Sequence, residues 1–241
     1  MELNLDFELT KTDKLLRKFE EIHNFIYAND GLSTQQTLEE FIKILFIKVI
    51  DEKKKEKQFY IDDTEFEQIK SSKKSKKLHQ RINNLFSTTV KEYSDLFDKG
   101  DRIKLSPLSL ANTINKLQDF SLINSSNDAK GLAFQKFLSH QEKDGRGQFF
   151  TPEPIIDFCV SIIQPKSNET IIDPACGSGG FLNSSFNYIT KNNKKVNVEK
   201  VVSENLYGLD INKSIARIAK MKLLLEANVE TNVKCINSLT D

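Results

Sequence analysis

No apolar run in the 241 residues approaches the roughly 18 needed to cross a bilayer, and the opening MELNLDFELT lacks the basic start and apolar stretch of a signal peptide. A cytoplasmic protein with no membrane partner is therefore expected. Cysteine is scarce: Cys159, Cys176 and Cys235 are odd in number, lack metal-ligand spacing and sit among apolar or small residues. They read as reduced, buried thiols, with no disulfide and no zinc site. Charge of neither sign dominates, with 35 basic and 34 acidic residues giving a formal +1. That balance argues neither for nor against a nucleic-acid partner, because local charge matters more than the sum. Prolines number five, Pro107, Pro152, Pro154, Pro165 and Pro174, and no two are adjacent.

What is present is a composition 38% hydrophobic and 29% charged, the balance of a soluble globular chain able to bury a core. From Lys14 to Tyr27, Leu15, Phe19, Ile22 and Ile26 recur at three- and four-residue spacing before Asn29-Asp30-Gly31, which predicts an amphipathic helix with a stop. A second helix begins at Ser33, whose hydroxyl can cap while Gln36 reaches back. Its wide stripe of Leu38, Phe41, Ile42, Leu45, Phe46 and Val49 suggests a central position. Residues 51–81 are highly charged, with KKKEK at 53–57 and six basic residues and no acid from Lys70 to Arg81. A solvated loop is the simpler reading of that run and a contact with DNA phosphates the alternative.

Helical periodicity resumes at Leu78, Ile82, Leu85 and Phe86, then Val90, Tyr93 and Phe97. It returns after Ser106-Pro107, where proline suits a first helical position ahead of Leu110, Ile114 and Leu117. Ala133, Phe134, Phe137 and Leu138 form a last helical pattern before the polar SHQEKDGRG at 139–147, which reads as a hinge. Beyond it the grammar changes. Helix (Pro152 to Ile163), strand (Glu169 to Asp173), helix (Gly179 to Ile189), strand (Asn205 to Asp210), helix (Lys213 to Ala227) and strand (Asn232 to Ile236) alternate, as in a doubly wound parallel sheet.

Between the first strand and its helix lies Asp173-Pro174-Ala175-Cys176-Gly177-Ser178-Gly179-Gly180-Phe181, a carboxylate followed by small residues that let a ligand lie against the backbone. A phosphate loop would need a Gly-Lys-Ser/Thr ending, and a dinucleotide fingerprint aligned on Gly177 and Gly179 would want a small residue at Leu182. Asp173 would repel a pyrophosphate and suit a ligand bearing an ammonium group, such as S-adenosylmethionine. Asp210 ends the second strand, where a carboxylate can accept both hydroxyls of a ribose; a helix cap or turn residue is the plainer role for it. Cys176 has no histidine near it in sequence and is given no catalytic role.

GQFFTP at 147–152, DPACGSGGF at 173–181 and GLDIN at 208–212, in this order, resemble the adenine-N6 DNA methyltransferases. More narrowly they are similar to the modification subunits of type I restriction systems, whose helical N-terminal domain IYANDGLSTQQTLEEFIKILFIKVIDE at 26–52 also resembles. The resemblance implies a helical domain over 1–140, then the first half of a Rossmann-like methyltransferase domain over 145–241. It places Phe149, Phe150 and Thr151 beside S-adenosylmethionine, with Thr151 at the methionine carboxylate. Asp173, Ala175 and Gly177 would line the methionine end, Asp210 the ribose, Ile211 the adenine face and Asn237 the adenine edge, where the family commonly has aspartate.

The family's Asp/Asn-Pro-Pro-aromatic motif, which polarises the target amine and stacks a flipped base, is absent from these residues. The resemblance thus implies a chain that ends before its catalytic motif, inactive alone, with three strands of an expected seven and hence exposed apolar faces and an open edge. Implied partners are double-stranded DNA, a DNA-specificity subunit and a restriction subunit. Two other readings stay open: a non-catalytic interaction protein with a vestigial cofactor loop, and a methyltransferase of proteins or small molecules, which GQFFTP disfavours.

Overall fold

The structure, a computed structural model, describes residues 11–124, 127–142 and 151–240. Helix α1 spans Lys11–Asp30 and α2 spans Thr34–Lys53. Ser33 caps α2 through a full capping box: its Oγ accepts the Gln36 N–H at 3.2 Å, and the Gln36 side chain accepts the Ser33 N–H at 3.0 Å. Residues Glu40 to Asp51 of α2 are all buried, the central position its wide stripe suggests. The charged stretch after it is not one loop. Asp62 accepts the Glu65 N–H at 2.8 Å and starts helix α3, Asp63–Ser72, whose Ile69 is buried. Helix α4 covers Lys76–Glu92, and Tyr93 and Phe97 lie in the turn beyond it rather than on the helix. Pro107 opens α5, Pro107–Leu117, behind the Ser106 cap, and α6 spans Asn127–Glu142.

Phe19, Phe41 and Phe137 meet edge to face at 5.3–5.9 Å, joining α1, α2 and α6. Phe46 meets Tyr93 at 4.9 Å and Phe97 at 5.3 Å, joining α2 to the turn after α4. Each such pair adds about 0.5–1.5 kcal/mol beyond burial of its area.

The second part alternates as expected: α7 Glu153–Ile163, β1 Ile171–Asp173, α8 Gly180–Asn192, a short α9 Val198–Lys200 running into a π-helical turn Val201–Asn205, β2 Leu206–Asp210, α10 Lys213–Ala227 and β3 Asn232–Cys235. The three strands form a parallel sheet in the order β1-β2-β3, with Asp173 opposite Gly208 and Asp210 opposite Cys235. This is a helical part followed by a Rossmann-like parallel sheet with helices packed against it. The expected division between 140 and 145 falls largely outside the described residues.

Helix α10 joins the two parts, being buried on nearly every side against α2, α6 and the sheet. Its Arg217, only 7% exposed, donates to the Leu96 carbonyl at 2.8 Å, pairs with Asp101 at 3.0 Å and lies 4.4 Å over the Phe97 ring. Lys220 pairs with Glu230 at 2.9 Å and lies over Tyr93. Ser214 donates to Glu39 at 2.7 Å. These contacts tie α10, which also packs on β2 and β3, to the helical part. On the outer side, α7 exposes Ile155, Phe158, Ile162 and Ile163, and β1 exposes Ile172. Among the described residues no helix is long and apolar enough to cross a membrane.

Candidate cofactor site

One backbone hydrogen bond ties the glycine-rich loop to the second strand, one closes the loop on itself and a third joins the end of β3 to the end of β2. The Cys176 N–H donates to the Leu209 carbonyl at 2.8 Å, the Gly179 N–H to the Cys176 carbonyl at 2.8 Å, and the Ile236 N–H to the Asp210 carbonyl at 3.1 Å. Gly177 at φ 54° and Gly179 at φ 78° occupy the left-handed region, which lets the loop reverse and lead into α8. A Cβ on Gly179 would stand 3.2 Å from the Ala219 methyl of α10. Gly208 is also required by space: a Cβ there would come within 2.6 Å of Leu182 and 3.2 Å of both Cys176 and Val233.

Asp173 and Asp210 end adjacent parallel strands and face the same loop. Asp173 accepts the Ala175 N–H at 3.2 Å. Asp210 accepts the Gly177 N–H on one oxygen at 3.1 Å and the Asn212 N–H on the other at 2.7 Å. A carboxylate offers about four acceptor sites, so Asp210 braces the loop and keeps lone pairs for two further donors. Burial holds the Asp173 carboxyl above its ordinary value, offset in part by the Ala175 N–H and reinforced by the charge of Asp210. Burial, with the same two carboxylates, pushes the Cys176 thiol up to about 12, which keeps it protonated and unreactive at neutral pH. All three cysteines are free thiols, but Cys159 and Cys235 are only partly buried, contrary to the expectation for them.

Beside the carboxylates stands an apolar rim. Ile211 is 71% exposed directly after Asp210, and Ile236 and Leu239 are exposed after β3. Asn212 does not face this rim: its side chain caps α10, accepting the Ser214 and Ile215 N–H groups at 3.0 and 3.3 Å.

Of the residues expected at a cofactor site, the structure therefore brings together Asp173, Ala175, Gly177, Asp210 and Ile211. Asn237 lies one residue past the backbone bond to Asp210, and its Oδ1 accepts the Leu239 N–H at 3.1 Å. Thr151 is exposed and borders, with Ser178 and Gly180 at the start of α8, a cavity of about 430 Å³ between α6, α7, α8 and α10. Phe149 and Phe150 lie outside the described residues. Sequence reasoning passed over Gly208, Ile236 and the Asn212 cap. Asn212, directly before the helix, carried a readable capping signal; the other two become significant only through their neighbours.

The arrangement suits a ligand with a cationic or hydroxyl-rich part and a flat apolar part. Two close carboxylates disfavour a pyrophosphate, accept ammonium and hydroxyl donors, and adjoin apolar side chains on which a base can pack.

Residues 125–241 match the family described as N-6 DNA Methylase. The methylase subunit of the type I restriction enzyme EcoEI from Escherichia coli is 34% identical over 104 residues, covering 42% of this chain and 21% of that protein. The MjaIX methylase subunit from Methanocaldococcus jannaschii is 26% identical over an alignment covering 100% of this chain and 49% of its own length. The chain thus spans half or less of these relatives. Among solved structures, the methyltransferase subunit of a type I restriction-modification system from Streptococcus thermophilus superposes with a TM-score of 0.56 at 16% identity, covering 91% of this chain and 57% of that one. That likeness is one of fold.

Proposed function

We propose, from the match of residues 125–241 to the N-6 DNA Methylase family, that the chain is the cofactor-binding part of a DNA adenine-N6 methyltransferase of the type I modification-subunit kind. Residues 1–140 are its helical domain and 145–241 its cofactor domain. The observation that carries this reading is the pair Asp173 and Asp210 at adjacent strand ends, held on a glycine loop beside exposed Ile211.

S-adenosylmethionine, when bound, supplies an electrophilic methyl on its sulfonium. Asp173, Ala175 and Gly177 hold its methionine end, Asp210 accepts its ribose hydroxyls, Ile211 packs on its adenine and Asn237 meets the adenine edge. Thr151, with Phe149 and Phe150 before it, closes the methionine side. On this reading the 241 residues hold the methyl donor, and the family's Asp/Asn-Pro-Pro-aromatic motif that meets the target amine is not among them. Double-stranded DNA is the substrate, reached in a complex with a DNA-specificity subunit and a restriction subunit.

A thermal-shift series tests the sign preference of the site. At a hundredfold excess over Kd, a ligand that binds only the native state adds about 2.7 kcal/mol, or about 5–11 °C for a chain of this size. S-adenosylmethionine should raise Tm by that order, and ATP and NAD should not; an equal rise with either nucleotide refutes the assignment.

A second reading, a non-catalytic interaction protein with a vestigial loop, draws on one observation: the apolar stripe Ile155, Phe158, Ile162 and Ile163 of α7 beside Ile172. It predicts no shift with any of the three ligands.

A further inference from the structure

The basic run that the cofactor site leaves unused is neither a loop nor uniformly neutralised. Lys70 lies in the last turn of α3 and Lys76 and Lys77 begin α4, with Lys73 and Lys74 between them at the tip, all exposed. Lys70 is paired with Glu67 at 3.3 Å and Arg81 with Glu65 at 2.7 Å. Lys73, Lys74, Lys76 and Lys77 enter no ion pair among the described residues.

The tip is also held in shape at a cost. Lys73 caps α3 at φ 55°, a left-handed conformation that a non-glycine residue adopts only against steric resistance. Ser75 is buried, and its hydroxyl bonds to His79 Nδ1 instead of capping the first amides of α4. His79 Nε2 in turn donates to the Leu105 carbonyl at 2.9 Å, which fastens the turn to the segment before α5. The α4 amides left without a side-chain cap add positive potential at the same place. Solvated lysines on a mobile loop would need none of this anchoring.

Next to the tip, a groove of about 500 Å³ runs between residues 56–60 and α4, lined by Lys57, Gln58, Tyr60, Lys77, Gln80 and Asn84, with Glu56 the acid on its rim. The exposed Tyr60 ring carries Arg81 at 4.7 Å. Cations, amides and a phenol side by side are the groups that bind backbone phosphates.

We propose that the α3–α4 turn, with this groove, is a phosphate-backbone contact for duplex DNA that works without reading sequence. The choice of DNA as the polyanion rests on the methyltransferase reading; the presence of a polyanion site does not. Each phosphate neutralised releases counterions and steepens the dependence of log K on log salt by about 0.9.

The experiment measures binding of the full chain to a short duplex across a salt series, for wild type and for Lys73→Gln/Lys74→Gln/Lys76→Gln/Lys77→Gln. All four side chains are exposed, and circular dichroism and Tm confirm that the variant folds. The slope should become shallower by about 3 to 4, while a control with Lys166→Gln, Lys194→Gln and Lys195→Gln keeps the wild-type slope. An unchanged slope in the quadruple variant, an equal loss in the control, no duplex binding by the wild type at low salt, or tighter binding to polyglutamate of matched charge overturns the proposal. S-adenosylmethionine binding is followed in the same variant. Measured beside the wild type, its absence from both proteins counts against the methyltransferase reading alone, and its presence in both with an unchanged slope counts against this surface alone.

Discussion

Replacing Arg217 by alanine should separate the helical part of the molecule from the sheet more sharply than any other single change on α10. The guanidinium is 7% exposed and makes a charged hydrogen bond to the Leu96 carbonyl at 2.8 Å, worth about 1.5–3 kcal/mol. Its pair with Asp101, whose side chain is 27% exposed, adds about 0.5–1 kcal/mol, and the contact 4.4 Å over Phe97 about 1 kcal/mol. Relief from burying a charge offsets about 1 kcal/mol of the sum. The net loss is about 3 kcal/mol, seen as a fall of about 6–12 °C in Tm for a chain of this length. Denaturant unfolding of wild type, Arg217→Ala, Asp101→Ala and the double variant measures both the total and the coupling, expected near 1 kcal/mol. A loss under about 1 kcal/mol for Arg217→Ala would mean that α10 is held by its apolar side chains alone, and the account of its buried cations would fall.

Three further outcomes follow from the same packing. Gly208→Val places two methyls and a Cβ into space already held by Leu182, Cys176 and Val233, and should destabilise the chain by about 2–3 kcal/mol, read by chemical unfolding. Cys176, with its thiol pushed up to about 12, should resist iodoacetamide at pH 8 in the native state and react once unfolded, which peptide mapping of the alkylated protein reports. Burial alone would raise the Glu52 carboxyl, but the Ile123 and Leu122 amides, Lys48 and Ser121 outweigh it and hold its value below the ordinary 4.5. Its contribution is present above pH 4.5 and lost as pH falls through the lowered value, so wild type should lose stability on acidification more steeply than Glu52→Gln.

Local signals carried the sequence reading a long way. The capping box at Ser33 and Gln36, Pro107 at the start of α5 and the limits of α10 depend on residues a few positions apart, and the structure agrees with each. Helix α3 escaped because its apolar face is only Phe66 and Ile69 within a run of charges. The packing of α10 on the helical part was invisible, since Arg217 meets Leu96 across 121 residues and Ser214 meets Glu39 across 175. At the candidate site, the two carboxylates and the glycines were legible as types. The brace that Asp210 forms with Gly177 and Asn212 was not, because it needs the loop folded against β2. The basic run illustrates the same limit: its charge was plain, while the anchoring through Ser75, His79 and Leu105 exists only in three dimensions.

The most direct test of the account is a calorimetric titration of the folded chain with S-adenosylmethionine, for wild type and Asp210→Ala. The account predicts one saturable site in the wild type and an affinity lowered at least a hundredfold, about 2.7 kcal/mol, in the variant, from loss of the ribose acceptor and of the loop brace. A folded wild type that gives no heat of binding, or a variant that binds as tightly as the wild type, contradicts it.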